Sequence, residues 1–146
     1  MRNLKPVFFS LLLVSFLFTA QSHAAEDKSM GLFINLTTAH TGQAGHAAHF
    51  AGKMMERGHP VTFFLNHQAV VYASKSAPLA RAGMSGKTMR DMLSGLMKKG
   101  AKVIVCQMCA KMNGVKKSDL IDGASLGTPE LVSSYLFDPK YQVISW

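Results

Sequence analysis

The sequence is short of cysteine and of acid, and what is missing narrows the classes of function. Its only two cysteines are Cys106 and Cys109. A structural zinc site built on this pair would want two more ligands of similar kind, and no other cysteine exists to supply them. Acids number 8 against 16 lysines and arginines, a formal net charge of +8. The basic residues are nevertheless spread along the chain as a solvated face. They form no dense block and are not interleaved with aromatics, as a nucleic-acid platform requires. Beyond the N-terminus no apolar run is long enough to cross a bilayer, so no membrane span is expected after that segment. Repeats, low-complexity tracts and long linkers are also missing.

What is present begins with an export pattern. Arg2 and Lys5 precede an almost unbroken apolar run from Val7 to Ala20, and small residues follow at Ser22 and Ala24. Positive, apolar and small-residue segments in that order predict a signal peptide over residues 1–24 and a periplasmic protein. Without Arg2 and Lys5 the formal charge falls from +8 to +6. Residues 25–146 are the length of one ordinary domain.

Along that domain, apolar runs alternate with helical periodicity. Gly31 to Thr37, Pro60 to Leu65 and Lys102 to Cys106 read as buried strands, with a further short strand at Ala69 to Ala73 and a last one at Gln142 to Trp146. A helix is expected from about Ala44 to Arg57, its alanines spaced three and four apart and Gly58 ending it. Residues 74–86 read as a long surface loop. Met89, Met92, Leu93, Leu96 and Met97 mark one face of a second helix that Ser85 precedes. Thr128-Pro129-Glu130 opens another, running to about Phe137. Alternation of this kind predicts a single small α/β domain, with a mainly parallel sheet of about five strands and helices on both faces. Ligands in such sheets gather at the strands' carboxyl ends, where Cys106 sits.

Several motifs have plainer readings. Gly83-Met84-Ser85-Gly86-Lys87-Thr88 ends like a phosphate loop, but Arg81 stands where its first glycine belongs. His46 and His49 share the polar side of the first helix with Lys53 and Glu56, and no carboxylate at ligand spacing turns them into a metal site. His40, in a loop at a strand's carboxyl end, is expected to border the cysteine pocket. Most methionines of the second half fall on a helix's core stripe, where thioethers fill space. Met108 and Met112 flank Cys109 instead.

Cys106-Gln107-Met108-Cys109 is therefore the candidate reaction centre. Two thiols three apart can close a disulfide, bind a metal, or let one sulfur resolve chemistry done on the other. A disulfide closing so small a ring restricts the unfolded chain little, so stability is a poor reason for it. The strand end and the nearby Lys111, Lys116 and Lys117 favour a reactive thiolate. Sulfur chemistry is the best reading. Two others stay open: a copper site using Cys106, Cys109 and perhaps Met108 and His40, and an oligomeric interaction domain with a closed disulfide.

The chain resembles the DsrE/DsrF-like family of sulfur-relay proteins. The resemblance rests on GLFINLTT, the alanine-rich helix with Arg57-Gly58-His59-Pro60-Val61 and FFL, Lys99-Gly100 before VIVC, and the terminal Val143-Ile144-Ser145-Trp146. Its most specific element is a cysteine at a strand end eight residues before a Gly-Val, here Cys106 and Gly114-Val115. The resemblance implies a flavodoxin-like fold, assembly as a trimer or hexamer, and a sulfur donor or acceptor protein as partner. It also implies a carrier, rather than a classical turnover enzyme, that holds sulfur as a persulfide on Cys106 without a cofactor. Cys109 and the export signal are additions to the pattern of cytoplasmic single-cysteine carriers. Cys109 would resolve or regulate Cys106.

Overall fold

The computed structural model describes residues 30–146; the expected signal peptide lies outside them. Apolar runs become the strands of one parallel sheet because both of its faces carry packing. These are β1 (Gly31–Leu36), β2 (Val61–Leu65), β5 (Lys102–Cys106), β6 (Ala124–Gly127) and β7 (Tyr141–Ser145), in the order β6-β5-β2-β1-β7 with every pairing parallel. Among the described residues the crossovers are served by α1 (Thr41–Glu56), α2 (Met89–Lys98), α3 (Gln107–Met112) and α4 (Pro129–Leu136).

Pleating divides the strand residues between two unequal layers. Ile34, Leu36, Phe63, Leu65, Val103 and Val105 point into the main core, against the alanine stripe of α1 and Met89, Leu93 and Leu96 of α2. The alanines 44, 47, 48 and 51 are all buried. Residues this small let the helix lie close against the sheet. The other face is covered thinly. Phe33 stacks on Phe64 with centroids 5.9 Å apart and on Tyr135 of α4 at 5.3 Å. Tyr135 meets Tyr141 edge-on and accepts a hydrogen bond from Lys102 Nζ at 3.2 Å. No residue of α4 is fully buried.

The alternation of strands and helices was legible, but some assignments differ. The segment expected as a strand at 69–73 is a 3-10 helix over His67–Ala73, with Ala69, Val70, Tyr72 and Ala73 buried. An apolar run this short fits either state, and here it packs beside α3 off the end of the sheet. The fifth strand is β6 instead, whose Ala-Ser-Leu-Gly carries little apolar signal. The expected loop at 74–86 contains β3 (Arg81–Ala82), which pairs antiparallel with β4 (Lys87–Thr88) around Gly86 in the left-handed region, at φ 62°. The phosphate-loop-like string is this hairpin. Thr88 caps α2: its Oγ1 accepts from the Asp91 amide while Asp91 reaches back to the Thr88 amide. Likewise α1 starts three residues before the expected Ala44, capped by His40.

Polar clamps fix the connections. Asp119 accepts from the hydroxyls of Ser74 and Ser76, and Arg90 donates to the carbonyls of Ser74 and Ala77. The link after β2 is thereby tied to the link after α3 and to the first turn of α2.

Gly127 closes β6 opposite Cys106, where a Cβ would stand 2.5 Å from Ile104 Cγ2 and 3.4 Å from a Val132 methyl. Gly127→Ala is expected to lower unfolding free energy by about 1–3 kcal/mol through overpacking. Chemical denaturation reads this as a lowered midpoint with unchanged slope; an unchanged midpoint would mean that β6 and α4 move apart freely.

Candidate functional site

The chain changes state at Cys106. The residue ends β5 and is the N-cap of α3, and its Sγ accepts from the backbone amide of Cys109 at 3.4 Å. Sulfur thus takes the position that a serine or aspartate oxygen fills at other helix starts. Both cysteines are half-buried free thiols, but their surroundings differ. Cys106 lines a cavity of about 1030 Å³; Cys109 does not. The cavity lies off the end of β5 and β6, between α3 and the start of α4, with Phe64, Leu126 and Val132 among its apolar walls and Lys111, Lys116 and Lys117 as its charged residues.

Cys109 faces inward, toward the 3-10 helix that follows β2. Burial first, then a hydrogen bond with Cys106, pushes its pKa up, while a backbone hydrogen bond from His67 pulls the other way. His67 has φ 49°, the left-handed region, which is uncommon for a residue with a Cβ. Asn113 fixes this arrangement: its Nδ2 donates to the His67 carbonyl at 3.1 Å and to the Cys109 carbonyl at 2.8 Å.

Helix α3 ends as deliberately as it begins. Gly114 adopts φ 71°, its amide donates to Lys111 O at 3.3 Å, and the Val115 amide donates to Ala110 O at 2.9 Å. This is a Schellman closure with the buried Val115 as its apolar contact. The spacing from Cys106 to Gly114-Val115 is therefore the length of a capped six-residue helix.

A family model of the DsrE/DsrF-like family matches residues 13–145. The chain belongs to that family. Two solved structures share the fold. The ychN protein from E. coli is 17% identical with a TM-score of 0.66, over 80% of this chain and all of that one. The protein of unknown function MTH1491 from Methanobacterium thermoautotrophicum is 11% identical with a TM-score of 0.63, over 80% of this chain and 99% of that one. A search of curated proteins finds no match. Membership in the DsrE/DsrF-like family brings a sulfur-relay type of role in general terms.

Of the residues singled out from sequence, the fold brings Cys106, Cys109, Met108 and the three lysines to one end of the sheet. His40 is not among the cavity's residues: its Nδ1 accepts from the Gln43 amide as the cap of α1. His46 hydrogen-bonds Trp146, and the Lys53–Glu56 pair occupies the same exposed side of α1. Met89 is core, and Met92 and Met97 pack against it. Met108 and Met112 are 68% and 77% exposed. Among the described residues no three His, Cys, Asp or Glu side chains converge on a metal position, and no helix is long and apolar enough to cross a membrane. Sequence reasoning missed His67 and Asn113 as neighbours of Cys109. The one local signal was Asn66-His67, a pair of residue types that tolerate turns.

Because burial raises the Cys109 pKa, its thiol favours the folded state's protonated form. That contribution is complete below the unfolded thiol's value, about 8.5, and is lost as pH rises through the higher folded value. In Cys106→Ser protein, thiolate absorbance should titrate above that of a free cysteine, and stability should fall across the same window. Cys109→Ser should remove that part of the fall. A Cys109 midpoint at or below the free value would contradict the packing described.

Proposed function

We propose that this is a periplasmic sulfur-transfer protein that carries a sulfane sulfur on Cys106 and uses Cys109 to release it or to exchange disulfides. The observation that carries this reading is the asymmetry of the pair. The Cys106 sulfur meets the cavity and accepts from the Cys109 amide in the first turn of α3, while the Cys109 side is held inward by His67 and Asn113. In the loading step the Cys106 thiolate attacks the outer sulfur of a donor persulfide. A new S–S bond forms on Cys106, the donor's S–S bond breaks, and the donor leaves as its thiolate. An acceptor thiolate then takes the outer sulfur and restores Cys106. With no acceptor, Cys109 attacks the inner sulfur, hydrosulfide leaves, and an intramolecular disulfide closes. Export is proposed from the charged, apolar and small-residue order of residues 1–24.

Intact-mass spectrometry of reduced protein treated with a sulfane-sulfur donor tests the assignment. Wild type should gain the mass of one sulfur atom, Cys106→Ser should gain none, and Cys109→Ser should keep its adduct longer than wild type. An adduct that persists in Cys106→Ser would move the carrier role elsewhere. A stoichiometric metal lost with Cys106 would replace this reading with the copper-binding one.

We further propose that the protein is a homo-oligomer through its thin face. Leu131, Leu136, Phe137 and Val143 all expose apolar surface there, Phe137 at 83%. Phe137→Asp should reduce the assembled mass measured by light scattering while leaving the circular dichroism spectrum unchanged. An unchanged mass would place the interface elsewhere.

A further inference from the structure

The cavity beside Cys106 has a composition that selects among sulfur compounds. Its walls include Phe64, Met108, Val115, Leu126, Pro129 and Val132, contributed by β2, α3 and its closure, β6 and α4. Among the described residues its charged lining is Lys111, Lys116 and Lys117, all exposed, with no acid or histidine. The volume of about 1030 Å³ is at the upper end of the range for small-molecule sites, roughly 300–1,000 Å³. A small inorganic anion would leave most of this apolar wall unused, and a neutral hydrocarbon would leave the three cations unanswered. Both features are met at once by a molecule with an apolar body and a negative group.

We propose that the cavity binds a small organosulfur anion, an apolar skeleton bearing a disulfide or sulfane sulfur together with a carboxylate or similar group, and presents its sulfur to Cys106. The proposal rests on Cys106 being the reacting sulfur. Its apolar body lies against Phe64, Leu126 and Val132, and its negative charge is balanced by the lysines. With a disulfide substrate the Cys106 thiolate attacks one sulfur, a Cys106–S–S–R bond forms, and the second half leaves as its thiolate. No outside oxidant is consumed. Gly127 also lines the cavity, at a point packed so closely that a Cβ would stand 2.5 Å from Ile104 Cγ2.

The test uses reduced, assembled, full mature protein and three disulfides of graded character. These are 5,5′-dithiobis(2-nitrobenzoate), aromatic and anionic; 4,4′-dithiodipyridine, aromatic and uncharged at neutral pH; and hydroxyethyl disulfide, small and neutral. Release of the leaving thiolate should saturate with the aromatic anion, and added salt should slow it. Replacing Lys111, Lys116 and Lys117 together by Gln should lower its second-order rate constant about tenfold, in line with three exposed charges. The same variant should leave dithiodipyridine within about twofold. Val132→Trp, which fills the cavity, should slow both aromatic probes and spare hydroxyethyl disulfide. Binding without sulfur chemistry is read with 1-anilinonaphthalene-8-sulfonate, an aromatic anion. Its fluorescence should rise equally with wild type and Cys106→Ser and fall in the lysine variant. If the dye binds so but Cys106 accepts no sulfur, the cavity assignment stands and the carrier reading fails. If Cys106 loads sulfur while dye binding and disulfide rates ignore both the lysines and Val132, the cavity assignment is overturned. A Val132→Trp protein that changes oligomeric state and a wild type that excludes the dye would also overturn it, with a second copy of the chain as the occupant. The lysine variant, altered only at exposed positions, keeps the test decisive should Val132→Trp fail to fold.

Discussion

The site depends on one local constraint: the chain must leave β5 and enter α3 at a single residue, Cys106. A strand residue that is also a helix N-cap has to offer an acceptor to the first turn, and here the acceptor is sulfur, 3.4 Å from the Cys109 amide. Sulfur is a weaker acceptor than the oxygen of serine or aspartate, and a thiolate is a stronger one than a thiol. The same turn sets the spacing of the two cysteines, because the third residue after a cap supplies the amide that the cap receives. Cys-x-x-Cys is thus a helix-start geometry as much as a redox motif.

From this point the rest of the site follows through covalent continuity. Six residues of helix and a left-handed Gly114 bring Val115 back into the core and leave Lys111, Lys116 and Lys117 around the cavity. The return from β6 to β7 supplies the opposite wall. Strands β1, β2, β5 and β6 succeed one another in one direction, whereas β7 lies beyond β1 on the far edge. The connecting α4 must cross the second face of the sheet, and at eight residues it cannot cover it. One face therefore holds the packed core and the other keeps an exposed apolar strip.

The parts legible in the sequence are those with a local cause. The strands at 31–36, 61–65 and 102–106 announce themselves as apolar runs, and α1 and α2 by their three-and-four spacing. Cys106 could be singled out because a strand end followed by a second cysteine is a short-range pattern. The short strand β6 could not, since Ala124 to Gly127 takes its conformation from pairing with β5 rather than from any preference of its own. The 3-10 helix at 67–73 was misread because its apolar residues serve a contact with α3 some forty residues further on. Phe64 and Val132 were invisible as walls for the same reason: they meet Cys106 only after the chain has crossed the sheet.

The setting proposed for the protein raises a chemical difficulty that the packing of Cys109 answers. A periplasmic Cys-x-x-Cys is drawn toward a closed disulfide, and a closed disulfide cannot carry sulfur. Closure of a loaded Cys106 proceeds through the thiolate of Cys109, so its rate scales with the fraction of Cys109 ionised. Burial and the neighbouring sulfur lower that fraction by raising the pKa, and the Asn113 bridge to His67 holds Cys109 in the environment responsible. The same second cysteine that makes closure chemically available is thus the one whose pKa the packing raises. In the proposed carrier a sulfur on Cys106 would gain time to meet an acceptor, and the cavity, which Cys109 does not line, would be the side of approach. The proposed carrier role therefore depends on the two members of the pair being kept unequal.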